Sequence, residues 1–317
     1  MKNTFNDLPR LAQDFLKYQV EVLGHAENTA VSYANDLRVL YSYLAQRRGL
    51  TLAEIDGQGA SILEAVTADE LDGYVSFSAD GSPLSASSRC RRVSSVKSFF
   101  KYLTAKRRLL DRNPADGLDS PKKQAALPAY LSEREALRLI DAASGAYRVR
   151  DRAILTLFLS CGLRVSELVS LNLSDLGADR VRVLGKGGKE RVVFFSEGCA
   201  DALRNYLEVR DASNVPAEDA DALFLSRDNR RISVRGVQKM VDKAIESAGL
   251  DSNRLSTHKL RHTAATLMLR NGVDTRVLQE ILGHSSLNTT QIYTHVESDS
   301  LRAAAMANPI GARARAW

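Results

Sequence analysis

Apolar residues recur at helical spacing through the first third of the chain. Phe5–Leu23 is amphipathic and stops at Gly24; Asn28–Arg48 follows and stops at Gly49, each glycine standing where a helix C-terminus favours a left-handed residue. Thr67-Ala-Asp-Glu70 has the form of a capping box, in which each side chain takes up a free N–H of the other residue, and it opens a third helix. Ser85 is placed to cap a fourth helix running to about Leu110. On that helix Val93, Val96, Phe100 and Leu103 form one stripe for burial, while Arg91, Ser94, Lys97 and Lys101 project roughly opposite.

The pattern then changes. Asp111–Pro128 carries three of the seven prolines, with Gly117 and the pair Lys122-Lys123, and reads as a linker. Ser132-Glu-Arg-Glu135 is a second capping box and starts a new helical region. Arg180–Phe195 breaks the helical period: Val181 and Val183, a Gly-Lys-Gly-Gly-Lys turn, then Val192-Val-Phe-Phe predict a β-hairpin. Helices are expected over Val234–Ala248, His258–Asn271 and Thr275–Leu282, with a short one from near Asn288. The expected architecture is mainly α: a helical domain over residues 1–111, a linker over 112–128, and a mostly helical domain over 129–317 of α+β character with a small antiparallel sheet.

Composition narrows the functional classes. At 317 residues the chain can hold two cores, and 44% hydrophobic with 26% charged residues is ordinary for a globular protein. No apolar stretch reaches the roughly 18 residues of a membrane span, and the first residues lack an apolar signal core, so a cytoplasmic protein is expected. Cys90, Cys161 and Cys199 are widely spaced without CxxC pairing, which predicts reduced thiols and no structural zinc. A net charge of +6 says little by itself, but Arg89–Arg108 holds eight lysines and arginines and no acid. Such a stretch is either a solvated face or a surface for a polyanion, and Arg91, Lys97 and Lys101 are its candidate DNA contacts.

Candidate chemistry lies in the second half. Gly162-Leu-Arg164-Val-Ser-Glu167 precedes the glycine-rich turn carrying Lys186; His258-Lys-Leu-Arg261 and Leu282-Gly-His284 follow, and Tyr293 stands nine residues beyond His284. Each piece alone has a duller reading, since a lone tyrosine is usually structural and an HxxR pair is usually a surface feature. The glycine-rich turn fails the P-loop pattern, as no Ser or Thr follows its lysine. With Thr257 as the N-cap, His258 falls in a first turn, where free N–H groups favour anions. Together the residues suit a phosphodiester. Arg164 and Arg261 can fork onto its non-bridging oxygens, and Tyr293 supplies a nucleophilic phenol. Glu167, one turn from Arg164, is placed to orient it. No carboxylate cluster suited to Mg²⁺ stands out, so neither metal nor cofactor is expected.

In order and spacing this set resembles the tyrosine recombinase (phage integrase) family, and its Xer-type members most closely, over essentially the whole chain. The resemblance implies a helical SAM-like core-binding domain followed by the catalytic domain. It implies that Tyr293 is the nucleophile, that His258 assists its proton transfer, that His284 hydrogen-bonds the scissile phosphate and that Lys186 protonates the leaving 5′ oxygen. It further implies a 3′-phosphotyrosyl intermediate and a homo- or hetero-tetramer on double-stranded DNA sites, with a DNA translocase among the partners it allows. In that picture Leu301, Ala304 and Ala305 in the tail would dock in a neighbouring subunit. Chromosome or plasmid dimer resolution is the expected role. The alternatives are integration or excision of a mobile element, type IB topoisomerase-like relaxation, and DNA binding without cleavage. Two features depart from the shortest Xer pattern: Gly57–Ala65, which reads as an insertion before the third helix, and the tail Asn308–Trp317.

Overall fold

In the computed structural model, which describes residues 5–78, 81–121, 130–185, 188–211, 213–283 and 303, the helix stops read from the sequence are real: Gly24 and Gly49 both take the left-handed conformation where their helices end. The chain divides into two units, residues 1–126 and 127–317.

The first unit is helical. Helix α1 (Arg10–Lys17) runs into a π turn (Tyr18–Val22), and α2 (Glu27–Arg48) follows. The expected start at Phe5 is too early: Pro9 stands at the N-cap, and residues 5–7 form a turn. The stretch Gly57–Ala65 falls on two short helices, α3 (Leu52–Gln58) and α4 (Ala60–Glu64), which bury Ile55, Ile62 and Leu63. Thr51 and Glu54 form a capping box that opens α3. The helix opened by Thr67 and Glu70 is therefore α5 (Ala68–Ser76). Helix α6 (Ala86–Lys101) is capped by Ser85 and ends in a π turn (Tyr102–Lys106), short of Leu110. Aromatic rings fill the core between these helices; Phe15 and Phe99 meet edge to face at 5.4 Å. Leu110, Ala115 and Leu118 are buried in the same core, and Cys90 Sγ donates to Pro121 O, so residues 110–121 pack onto this unit.

The second unit is built round α8 (Arg148–Cys161), in which every residue from Ala153 to Cys161 is buried. A helix apolar on all sides belongs at the centre of a layered packing. Helices α7 (Glu133–Asp141), α10 (Glu197–Val209) and α12 (Thr257–Arg270) surround it. Strands β1 (Arg180–Leu184) and β2 (Glu190–Phe194) pair antiparallel with Val181 opposite Val193 and Val183 opposite Arg191. Helices α9 (Val165–Ser170), α11 (Val234–Ser247) and α13 (Thr275–Leu282) are the other α-helices among its described residues. The N-cap of α12 is Ser256, one residue before the expected Thr257, and His258 remains in the first turn. Among the described residues no helix is long and apolar enough to cross a membrane, and all three cysteines are free.

Candidate active site

The site begins where the central helix stops. Gly162 takes φ +63° and turns the chain out of α8; a Cβ there would lie 2.9 Å from a Leu282 methyl. Buried Leu163 anchors the turn, and Arg164 becomes the N-cap of α9. Glu167, three residues on, accepts from the Arg164 main-chain N–H at 2.8 Å and from its Nη1 at 2.7 Å. An acidic side chain at the third position of a helix is an ordinary cap. Here the same carboxylate also serves as counter-ion to its capping partner.

Glu167 is 3% exposed and fully engaged. Arg191 from β2 grips it through both terminal nitrogens, Nη1 on Oε1 and Nη2 on Oε2, each at 2.9 Å. Arg261 Nη1 stands 3.8 Å from Oε2. Burial pushes the carboxyl pKa up, but the hydrogen bonds from Arg191 and the Arg164 main chain, with the charge of Arg191, outweigh it and hold Glu167 below its usual value.

The guanidiniums also close the end of α13. Arg261 donates to Leu282 O at 2.6 Å and to Gly162 O at 2.7 Å. Arg191 Nε donates to Ile281 O at 2.8 Å, and Arg164 reaches Leu282 O and Gly283 O at 3.4 and 3.3 Å. Carbonyls at a helix C-terminus lack partners of their own and carry the negative end of its dipole, so cations settle there.

Three guanidiniums thus face one carboxylate, leaving a surplus of two positive charges. Burial, and then the repulsion of Arg164, bring Arg261 down to about 10, still protonated at neutral pH. The Arg164 side chain is 36% exposed against 6% for Arg261, so the surplus opens outward at Arg164. A cluster like this is chemically suited to an anion.

His258 lies exposed one turn before Arg261 on α12. Lys186, His284 and Tyr293 lie outside the described residues, as do the helix expected near Asn288, the tail residues Leu301, Ala304 and Ala305, and the segment Asn308–Trp317. Gly185 and Gly283, which precede Lys186 and His284, are described: both border Arg191, whose Nη1 would be 3.4 and 3.1 Å from a Cβ at these positions.

Arg191 is the residue that motif reading missed. The signal was its register: it shares the inward face of β2 with Val193 and stands opposite buried Val183, where a hairpin would ordinarily place an apolar side chain.

On α6 the basic face is only partly free. Arg91 Nη1 pairs at 2.5 Å with Asp36, a buried acid that also accepts from Ser95 Oγ at 2.6 Å. Arg92 is buried and donates to the main-chain oxygens of Tyr74 and Phe77, capping the end of α5. Lys101 is exposed and Lys97 half-buried.

The chain matches the phage integrase family model over residues 129–299 and the phage integrase N-terminal SAM-like domain over residues 12–107. It is 43% identical over 310 residues to tyrosine recombinase XerC of Caldanaerobacter subterraneus subsp. tengcongensis, covering 95% of this chain and 87% of that one. Identity to tyrosine recombinase XerC of Mycobacterium tuberculosis is 39% over 302 residues, 92% of this chain and 96% of the other. The fold is shared with XerH site-specific recombinase bound to palindromic difH substrate in a post-cleavage complex, at TM-score 0.64 and 23% identity over 96% of this chain and 97% of that one. It is shared too with a lambda integrase tetramer bound to a Holliday junction, at TM-score 0.65 and 18% identity over 90% of this chain and 80% of that one. A helical SAM-like unit, an arginine cluster at the end of a central helix and end-to-end similarity to XerC proteins agree: the chain belongs to the phage integrase family, as an Xer-type tyrosine recombinase, a DNA breaking and rejoining enzyme.

Proposed function

We propose that this protein recombines DNA at a specific site through a 3′-phosphotyrosyl intermediate, and that its role is resolution of chromosome or plasmid dimers in the cytoplasm. The observation that carries the proposal is the arginine cluster, whose two surplus charges open at Arg164. A phosphodiester resists attack because it is anionic and its leaving alkoxide is poor. Arg164 and Arg261 offset the charge that builds on the non-bridging oxygens. Tyr293 Oη forms the new bond to phosphorus as the bond to the 5′ oxygen breaks. The phenol proton passes to His258, and the 5′ oxygen takes its proton from Lys186, leaving a free 5′ hydroxyl. His284 donates to the phosphate. Because the phosphotyrosyl ester keeps the energy of the broken bond, attack by a 5′ hydroxyl rejoins the strand without a nucleotide cofactor.

In this reading the domain over residues 1–111 holds DNA with Lys97, Lys101 and Arg91, residues 112–128 link it to the catalytic domain over 129–317, and the tail docks in a neighbouring subunit. Four protomers, alike or of two kinds, act on two sites, and a DNA translocase regulates them. The test is a duplex carrying the dif-like site of the chain's own chromosome, nicked beside the scissile phosphate so that the cleaved fragment diffuses away. Wild-type protein should accumulate a covalent adduct without metal or ATP; a protein that binds this duplex but forms no adduct would rule the reading out.

A further inference from the structure

We infer that Arg191 is a positioning residue for strand cleavage: it holds Glu167 and the end of α13 in one register and so sets the geometry with which Arg164 and Arg261 meet the phosphate. The inference rests on the proposed phosphotyrosyl chemistry.

Arg191 is the one cluster member that uses all its nitrogens inward. Nη1 and Nη2 engage the two oxygens of Glu167, and Nε engages Ile281 O. Its side chain is 12% exposed, against 36% for Arg164, so it is poorly placed to meet a phosphate itself. It acts instead through groups that do. Glu167 fixes the Arg164 side chain at 2.7 Å, and with Arg191 on its other side the carboxylate cannot turn. Leu282 O, the next carbonyl after the one Arg191 holds, accepts from both Arg261 and Arg164. One side chain therefore joins β2, the first turn of α9 and the last turn of α13.

The chemistry demands an arginine. Two donors on the two oxygens of a carboxylate, with a third from Nε directed away from them onto a carbonyl, match a planar fork, and an ammonium cannot span them. Arg191→Lys keeps the charge and loses the register. If Arg191 acts by positioning the phosphate-binding guanidiniums, its loss should matter in proportion to the charge those groups must offset.

The experiment compares adduct formation by the full chain on the nicked duplex with an ordinary scissile phosphate and with a methylphosphonate there, which is neutral at the non-bridging oxygens. Arg164→Ala is the control. Arg191→Lys should cut adduct formation on the phosphate by about tenfold or more, the scale on which partners of a charged ligand act. On the methylphosphonate the deficit relative to wild type should shrink to about threefold or less. The ratio of the two rates within one preparation is independent of how much of the variant is folded, so a loss of stability does not obscure it. An equal deficit on both substrates, or wild-type cleavage by Arg191→Lys, would overturn the inference. Absence of adduct from wild type, or an Arg164→Ala deficit indifferent to substrate charge, would instead strike the underlying reading.

Discussion

Arg164 and Arg261 share one acceptor, the main-chain carbonyl of Leu282, and one counter-ion, Glu167. The sharing ties together a loop at the end of the central helix, the second turn of α12 and the end of α13. It also separates two roles that motif reading treats alike, because Arg164 is open to solvent and Arg261 is not.

The two arginines should therefore fail differently. Either one changed to alanine should lower adduct formation by about 10²-fold or more, the effect of removing a preorganised donor to a developing oxyanion, with DNA affinity little changed. Only Arg261→Ala should also unfold early, by about 2 kcal/mol, since it leaves buried Gly162 O without its donor and Leu282 O with only the longer bond from Arg164. Adduct assays beside urea melts check both; equal stability losses would argue against the division.

Glu167→Gln should destabilise the protein by about 3 kcal/mol near neutral pH, because it leaves buried guanidiniums uncompensated. The folded-state pKa of Glu167 is depressed, so its stabilising contribution is present above the unfolded carboxyl value, ~4.3, and is lost as pH falls through the lower folded value. The stability gap between wild type and Glu167→Gln should accordingly narrow in acid. Denaturation curves at a series of pH values measure it, and a constant gap would show that the charge is immaterial.

Gly162→Ala places a side chain at φ +63° and 2.9 Å from a Leu282 methyl. The conformational cost alone is about 1–2 kcal/mol. Relief requires the Gly162–Arg164 turn or α13 to shift, so cleavage should fall more steeply than thermal stability. Adduct formation near the wild-type rate would show that the turn does not set the site.

On α6, Lys97→Ala should weaken DNA binding and reduce the salt dependence by about one unit of log–log slope, with no change in melting temperature. Arg91→Ala should weaken binding and lower the melting temperature as well, because buried Asp36 loses its cation. Salt titrations with parallel melts distinguish the two lysine and arginine roles; identical slopes for Lys97→Ala and wild type would remove Lys97 from the DNA surface.

Much of this was legible in the chain. Capping boxes at Thr67 and Ser132, the Gly49 stop and the alternation in β1 and β2 are local signals, and local geometry decides them. Helices α3 and α4 were hidden because a short segment with few apolar residues carries no period, although Thr51 and Glu54 spelled out a cap. Arg92 counted among the eight basic residues of the stretch 89–108 yet is buried, its charge taken up by carbonyls at the end of α5. Arg164, Glu167 and Arg261 were legible as chemistry through their spacing. Arg191 was not, because its meaning lies in a partner 24 positions away on α9, with which no local pattern in the sequence links it.

The central claim is that Tyr293 becomes joined to DNA. The measurement is to trap the adduct on the nicked dif-like duplex, digest the protein and map the modified peptide, with the polarity of the broken strand read from its ends. The account predicts a nucleotide on Tyr293 linked through a 3′ phosphate, a free 5′ hydroxyl on the released fragment, and no adduct from Tyr293→Phe despite undiminished binding. A nucleotide on any other residue, a 5′ linkage, or an adduct formed by Tyr293→Phe would contradict it.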